Sequence, residues 1–158
     1  MKLHILRHAD TENYAISGND IDRNLLPEGQ ARAEKMGIFL NEKLSRKIAV
    51  YCSSSNRTKE TAAIIQSKFE FRNIQYFQEL YHANLSQLLN FIEDLKDQDA
   101  AFLIGHNEGI SDLVSYLTGE NIHLNTCQFV TIELSATNWQ EVSKDSGHLI
   151  ENYRPESL

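Results

Sequence analysis

Four short stretches of this chain end in side chains that can bind an anion or transfer a proton. Arg7-His8 closes the apolar run Leu3-His4-Ile5-Leu6, and Arg57 closes the polar run Ser53-Ser54-Ser55-Asn56. Glu79 follows Ile74-Gln75-Tyr76-Phe77, and His106-Asn107 follows the run from Ala100 to Gly105. An arginine or histidine at a strand end is a poor structural device, because both are awkward to bury and neither favours a turn. Taken alone, His8 reads as an ordinary strand-end histidine; the recurrence changes that reading. Arginine offers forked donors that match phosphate oxygens. Arg57 also stands beside a predicted helix N-terminus, where backbone N–H groups favour an anion. Two histidines exceed what binding alone requires. One can take a phosphoryl group onto a ring nitrogen and split a displacement into two steps. The other, with the arginines, can stabilise charge on the equatorial oxygens. Glu79 is the one acid at a predicted strand end on that rim, placed to protonate a leaving oxygen if burial raises its pKa.

The elements that must position these residues follow from hydrophobic period. Leu3–Leu6 reads as a strand buried on both faces, followed by a long polar loop through Asp22 with turn chemistry at Ser17-Gly18-Asn19-Asp20. Pro27 at the first helical position, with Glu28 in the first turn, opens a helix whose Ala33, Met36, Gly37, Leu40 and Leu44 form a core stripe. Ile48–Cys52 is a second strand, and a helix with Ala62 and Ile65 inward follows from Thr58 to about Lys68. Ile74–Phe77 is a third strand. Ser86 is the expected cap of the next helix, with Leu88, Leu89, Ile92 and Leu95 as its stripe. After the Ala100–Ile104 strand, Ile110, Leu113, Val114 and Leu117 mark a helix closed by Gly119. Gln128–Leu134 alternates as a strand with one wetter face, and Leu149-Ile150 belongs to a final edge strand. Strands alternating with helices at this spacing imply a mostly parallel sheet, and ligands of such sheets bind beyond the carboxyl ends of the strands. If the strands are mutually parallel, Arg7, His8, Arg57, Glu79 and His106 converge on one edge.

Composition sets the outer bounds. The 158 residues fit one domain spanning 1–158. A net charge of −7 without a basic stripe argues against nucleic acid as partner, although a local arginine cluster can still hold a small anion. Cys52 and Cys127 lie in apolar runs and read as reduced, buried packing residues. The first residues lack the apolar segment of a signal peptide and no run approaches membrane-spanning length, so a cytoplasmic protein without a membrane partner is expected. His4 lies four residues from His8, but on a strand that spacing is about 13 Å, too far to share a metal ion. His82, His123 and His148 lack ligand-like spacing and read as surface or core-edge residues. Tyr81 and His82 can equally line a substrate entrance, with a core position open for Tyr81.

At this point the residues resemble a known family. Leu6-Arg7-His8-Ala9, Ser53-Ser54-Ser55-Asn56-Arg57-Thr58-Lys59-Glu60-Thr61-Ala62 and Gly105-His106-Asn107 are similar to the three signatures of the histidine phosphatase superfamily. The resemblance extends to Glu79-Leu80-Tyr81-His82-Ala83, Tyr116-Leu117-Thr118-Gly119 and Arg154-Pro155-Glu156, and is greatest to the short branch with the SixA-type phosphohistidine phosphatases. It implies a phosphoglycerate mutase-like three-layer α/β/α sandwich without metal or other cofactor. It also implies His8 as the phosphorylated nucleophile, with Arg7, Arg57 and His106 completing the phosphate pocket and Glu79 as the acid to be tested. Three positions depart from the family pattern: Ala9 replaces the common glycine of the Arg-His-Gly motif, Ser54 a frequent proline, and Leu26 a threonine N-cap. The last should weaken that helix start by about 1 kcal/mol.

Glu79 bears on the substrate. A phosphate monoester expels a poor alkoxide that needs a proton, whereas phosphohistidine expels imidazole, a better leaving group. Only short stretches separate Arg57 from Glu79 and Glu79 from His106, so the site is expected to be uncapped and able to admit a protein side chain. The expectation is therefore a phosphatase of phosphohistidine in a phosphorylated protein. Its rivals are a phosphatase of small phosphorylated molecules and a phospho-ligand binding module without turnover. The sequence does not set the oligomeric state.

Overall fold

The computed structural model describes residues 1–44, 47–96 and 98–157. Six strands form one sheet: β1 (Lys2–Arg7), β2 (Ala49–Ser53), β3 (Asn73–Phe77), β4 (Ala100–Gly105), β5 (Phe129–Leu134) and β6 (Gly147–Tyr153). Their order is β3-β2-β4-β1-β5-β6. β1 runs parallel to β4, β4 to β2 and β2 to β3; β5 alone is reversed, lying antiparallel to both β1 and β6. The expected edge strand at Leu149-Ile150 is β6.

Strand alternation splits the core in two. On one face Leu3, Ile5, Leu103, Val130 and Ile132 pack with α3 (Leu85–Glu93) and α4 (Gly109–Thr118). On the other, Leu6, Val50, Cys52, Phe102, Ile104 and Phe129 pack with α1 (Pro27–Lys43) and α2 (Asn56–Gln66). Two buried faces covered by helices explain the nearly continuous apolar character of β1 and β4. The result is a three-layer α/β/α sandwich. Because β2, β4 and β1 are neighbours pointing the same way, Arg57, His106 and Arg7-His8 emerge side by side from the centre of the sheet.

Two expectations need correction. The cap of α3 is Asn84, which accepts from Gln87 N–H at 3.0 Å while the Gln87 side chain accepts from Asn84 N–H at 3.0 Å; Ser86 lies inside the helix. This reciprocal pair satisfies two orphan donors where Ser86 would satisfy one. The wetter face of β5 is dry except at Glu133, since Phe129 and Thr131 are buried. His4, stacked between Phe102 and Phe129, brings Nδ1 within 2.9 Å of Thr131 Oγ1, and Thr131 donates its hydroxyl to Glu151 at 2.6 Å. The polar atoms of that face are thus satisfied internally.

α1 starts without a side-chain cap at Leu26, as its sequence implies; Leu26 N–H donates instead to Asp10 O at 2.9 Å. The approach of α1 to the segment after β1 is so close that a Cβ on Gly29 would lie 2.2 Å from Asp10 O. Alanine normally stabilises a helix interior relative to glycine by about 0.5–1 kcal/mol. At this site Gly29→Ala is expected instead to destabilise by about 1–3 kcal/mol, lowering the urea midpoint with an unchanged m-value.

Candidate active site

The strand-end residues meet in a cleft of about 370 Å³ whose lining includes Arg7, His8, Arg57 and His106. A larger cavity of about 620 Å³ opens at the amino ends of the strands, near Met1, Ala49 and Ala100, and contains none of these residues. The candidate residues thus lie at the carboxyl edge, where parallel sheets bind their ligands.

His8 leaves β1 and is held from both sides: its N–H donates to Gly105 O at 3.2 Å and its carbonyl accepts from Cys127 N–H at 3.0 Å. The ring is buried, and Nδ1 donates to Ala9 O at 2.8 Å. That bond assigns the proton to Nδ1 and leaves the lone pair on Nε2. Burial, followed by the positive fields of Arg57, Arg7 and Arg23, pushes His8 down to about 3, despite the opposing bond to Ala9. The ring is therefore neutral and nucleophilic near pH 7.

The polar run after β2 has a task at almost every position. Ser53 Oγ lies 2.7 Å from His106 Nε2, and Ser54 donates to Gln78. Ser55 caps α2, and Thr58 Oγ1 donates back to Ser53 O at 2.7 Å. Glu60 accepts from Leu25 N–H, and Thr61 Oγ1 receives Ala9 N–H while donating to Arg57 O. α2 thereby clamps Arg57 and the segment after His8 to one another. His106 stands 5.2 Å from His8, ring centroid to centroid, and is pushed down to about 2 by burial, then by the fields of His8 and Arg57.

Four buried side-chain nitrogens at this edge have no hydrogen-bond partner among the described residues: Arg7 Nε, Arg32 Nε, Arg57 Nε and His106 Nδ1. Leaving such groups unpaired is costly, and all but Arg32, which binds the wall residues Asp10 and Thr126, belong to residues lining the cleft. Arg7 spends Nη1 on Leu124 O at 2.8 Å, a carbonyl that also accepts from Asn107. Arg57 spends Nη1 on Asp20 O and Nη2 on Asp20 Oδ2, at 2.7 and 2.9 Å. Both arginines thus keep their Nε free beside an imidazole, a donor set suited to the oxygens of a tetrahedral oxyanion.

Asp20 was not singled out by sequence, yet it organises this wall. Its carboxylate also accepts from Arg23, from Tyr81 Oη at 2.6 Å and from His82 Nε2 at 2.9 Å. Burial alone would raise its pKa, but the hydrogen bonds from Tyr81, Arg23, His82 and Arg57 outweigh that and hold it far below the usual carboxylate range. Arg23 lines the cleft as well, braced by Glu12 O and Thr11 Oγ1. His82 belongs to the entrance; His123 is exposed beside it, its Nε2 3.3 Å from the Nδ2 of the lining residue Asn107, and His148 is exposed on β6. Asp10 forms another wall, hydrogen-bonded to Thr126 and to Arg32, which also reaches Glu156.

Glu79 is the one candidate that the structure does not bring to the cleft. It sits in a short 3-10 turn, Gln78–Leu80, that buries Leu80 and exposes Glu79. A strand-end position placed it on the right rim; the turn then directs its side chain outward. Cys52 and Cys127 are buried free thiols that burial pushes up to about 12. Among the described residues, no three His, Cys, Asp or Glu side chains cluster so as to hold a metal ion, and no helix is long and apolar enough to cross a membrane.

A family model described as the histidine phosphatase superfamily (branch 1) matches residues 3–103. A chloroplastic, uncharacterised protein of Arabidopsis thaliana is 27% identical over 157 residues, covering 92% of this chain and 72% of its own. A candidate phosphohistidine phosphatase SixA from Nakamurella multipartitia shares 22% identity at a TM-score of 0.84, over 98% of this chain and 95% of that one. The protein histidine phosphatase SixA complexed with tungstate shares 19% identity at the same TM-score of 0.84, over 100% of this chain and 99% of that one. These likenesses identify the sandwich as the phosphoglycerate mutase-like fold.

Two measurements follow from the site. His4, His8 and His106 are held neutral, at about 4, 3 and 2, against 6.5 when unperturbed. The unfolded chain therefore binds more protons below 6.5, so this stability is complete above that pH and is lost as pH falls toward 4. The urea midpoint should drop over that window, and a flat profile would show the histidines charged in the folded state. Inorganic phosphate should raise the melting temperature of the wild type and leave that of Arg57→Met unchanged.

Proposed function

Because this chain belongs to the histidine phosphatase superfamily, we propose that it is a phosphatase working through a phosphorylated His8, with phosphohistidine in a protein as its substrate. The observation that carries the reading is the pairing of a neutral His8, its Nδ1 committed to Ala9 O, with the unpartnered donors Arg7 Nε and Arg57 Nε and the unpartnered Nδ1 of His106.

In the first step His8 Nε2 donates its lone pair to phosphorus. The bond from phosphorus to the substrate's imidazole nitrogen breaks, and the departing imidazole takes up a proton from solvent. The oxygens in flight are stabilised by the two guanidinium groups and His106, all in place beforehand, so little reorganisation is needed. In the second step water attacks phosphorus, the bond to His8 Nε2 breaks, and phosphate leaves as the imidazole recovers its lone pair. Water supplies the hydroxyl oxygen and loses one proton, so the cycle returns His8 to its starting form.

The leaving group favours a phosphoramidate. Glu79 is exposed outside the cleft, and Asp10 and Asp20 are held ionised by their hydrogen bonds. None of these three is poised to protonate an alkoxide, which leaves the solvent-exposed Glu28 as the remaining carboxylate of the cleft lining; an imidazole departs with less help. The names of the SixA proteins that share the fold agree with this substrate class.

The test is a paired turnover assay of the wild type and His8→Ala on a histidine-phosphorylated carrier protein and on a small aryl phosphate. Fast loss of phosphohistidine is expected, with slow ester cleavage and a fall of about 10⁴-fold or more in His8→Ala. Preferential ester cleavage would make this a small-molecule phosphatase. Phosphate binding without turnover of either substrate would make it a binding module.

A further inference from the structure

The segment between β1 and α1 presents two large apolar side chains to solvent, Tyr14 at 87% and Ile16 at 106% relative exposure. Single exposed apolar residues are ordinary, but these two share a tip that is firmly built. The limbs of the loop are joined by Glu12 N–H to Asn24 O at 3.0 Å, Asn24 N–H to the Glu12 carboxylate at 3.2 Å, and a bridge between Thr11 and Leu25. The tip turns at Gly18, whose φ of +81° suits glycine and whose N–H donates to Ala15 O at 3.0 Å. Ser17 and Asn19 both donate to Asp22, at 2.7 and 3.2 Å. The returning limb is fastened to α2 through Asn56, which donates to Asp22 O, and through Arg57, which holds Asp20. Tyr14 and Ile16 are thus held out by a frame that a partner would not have to order, which lowers the entropic cost of contact.

The same frame is the wall of the phosphate cleft. Thr11 on the outgoing limb and Arg23 on the returning limb both line it. A small phosphorylated molecule lying in the cleft would leave the tip untouched. A phosphohistidine carried by a folded protein would bring that protein's surface against the rim, where the tip projects. Glu12, Asp22 and Glu28 flank the loop, so a surface with neutral or basic margins around an apolar patch fits better than an acidic one.

We propose that Tyr14 and Ile16 form a docking tip that seats the apolar surface surrounding the phosphohistidine of a folded protein substrate. This rests on the protein-directed reading above and adds to it a means of selecting protein over free phosphorylated compounds.

The test compares the wild type with the double variant Tyr14→Ser/Ile16→Ser on a histidine-phosphorylated carrier protein and on a small aryl phosphate, after confirming equal melting temperatures. The variant is expected to lose about tenfold or more in kcat/KM on the protein, mainly through KM, with ester turnover unchanged. No loss on the protein would overturn the docking tip while leaving the protein-directed function intact. An equal loss on both substrates would also overturn it, since the loop would then be shaping the cleft. A wild type inactive on the phosphorylated protein would remove the underlying reading and the docking tip together. A wild-type dimer dissociated by the same substitutions would assign the tip to self-association and overturn the proposal.

Discussion

The structure at this sheet edge depends on how a buried guanidinium is satisfied. Arg57 is 1% exposed, and a cation so removed from water costs several kcal/mol unless it is paired and hydrogen-bonded. Its outer edge is met by the Asp20 carbonyl and carboxylate. That requirement ties the loop after β1 to α2 through Asp20, the same residue that gathers Arg23, Tyr81 and His82. The inner edge keeps an unpartnered Nε, as Arg7 does beside it. The fold therefore satisfies enough of each arginine to hold it in place while leaving its Nε unpaired, which is what the proposed phosphate site would use.

Local charge here runs against the charge of the chain as a whole. The net −7 comes from acids spread over the surface, whereas Arg7, Arg23 and Arg57 meet at one cleft with neutral histidines between them. Those cations also keep the imidazoles neutral, because their field adds to the effect of burial on His8. In the proposed mechanism the same arrangement would both attract the substrate's negative charge and preserve the His8 lone pair, which a protonated ring would lack.

What was legible in the sequence follows from which features are local. Apolar period marked the strands and helices, and parallel direction then implied that Arg7, His8, Arg57 and His106 share an edge. The polar run from Ser53 to Thr61 could be recognised as a unit, though the task of each residue became clear only with its partners in view. Asp20 and Arg23 were missed because their importance lies in contacts 37 and 61 positions away, or across an irregular loop, with no period to betray them. Glu79 was misplaced for a related reason: a strand end fixes the rim, but one 3-10 turn decides which side chain faces in. The Asn84 cap could have been found, since Asn-x-x-Gln before an apolar stripe is a capping-box signature. Thr131 could not, because its dryness comes from His4 stacked between two phenylalanines.

The two cysteines have a consequence of their own. Cys52 directly precedes the serine that holds His106, yet its thiol is fully buried and pushed up to about 12, as is that of Cys127. Only a vanishing fraction of either is thiolate near neutral pH, and thiolate is the form that peroxides and alkylating agents attack. With His8 as the proposed nucleophile, the chemistry at this edge would involve neither thiol, and oxidants that silence enzymes built on a reactive cysteine would find no such target there.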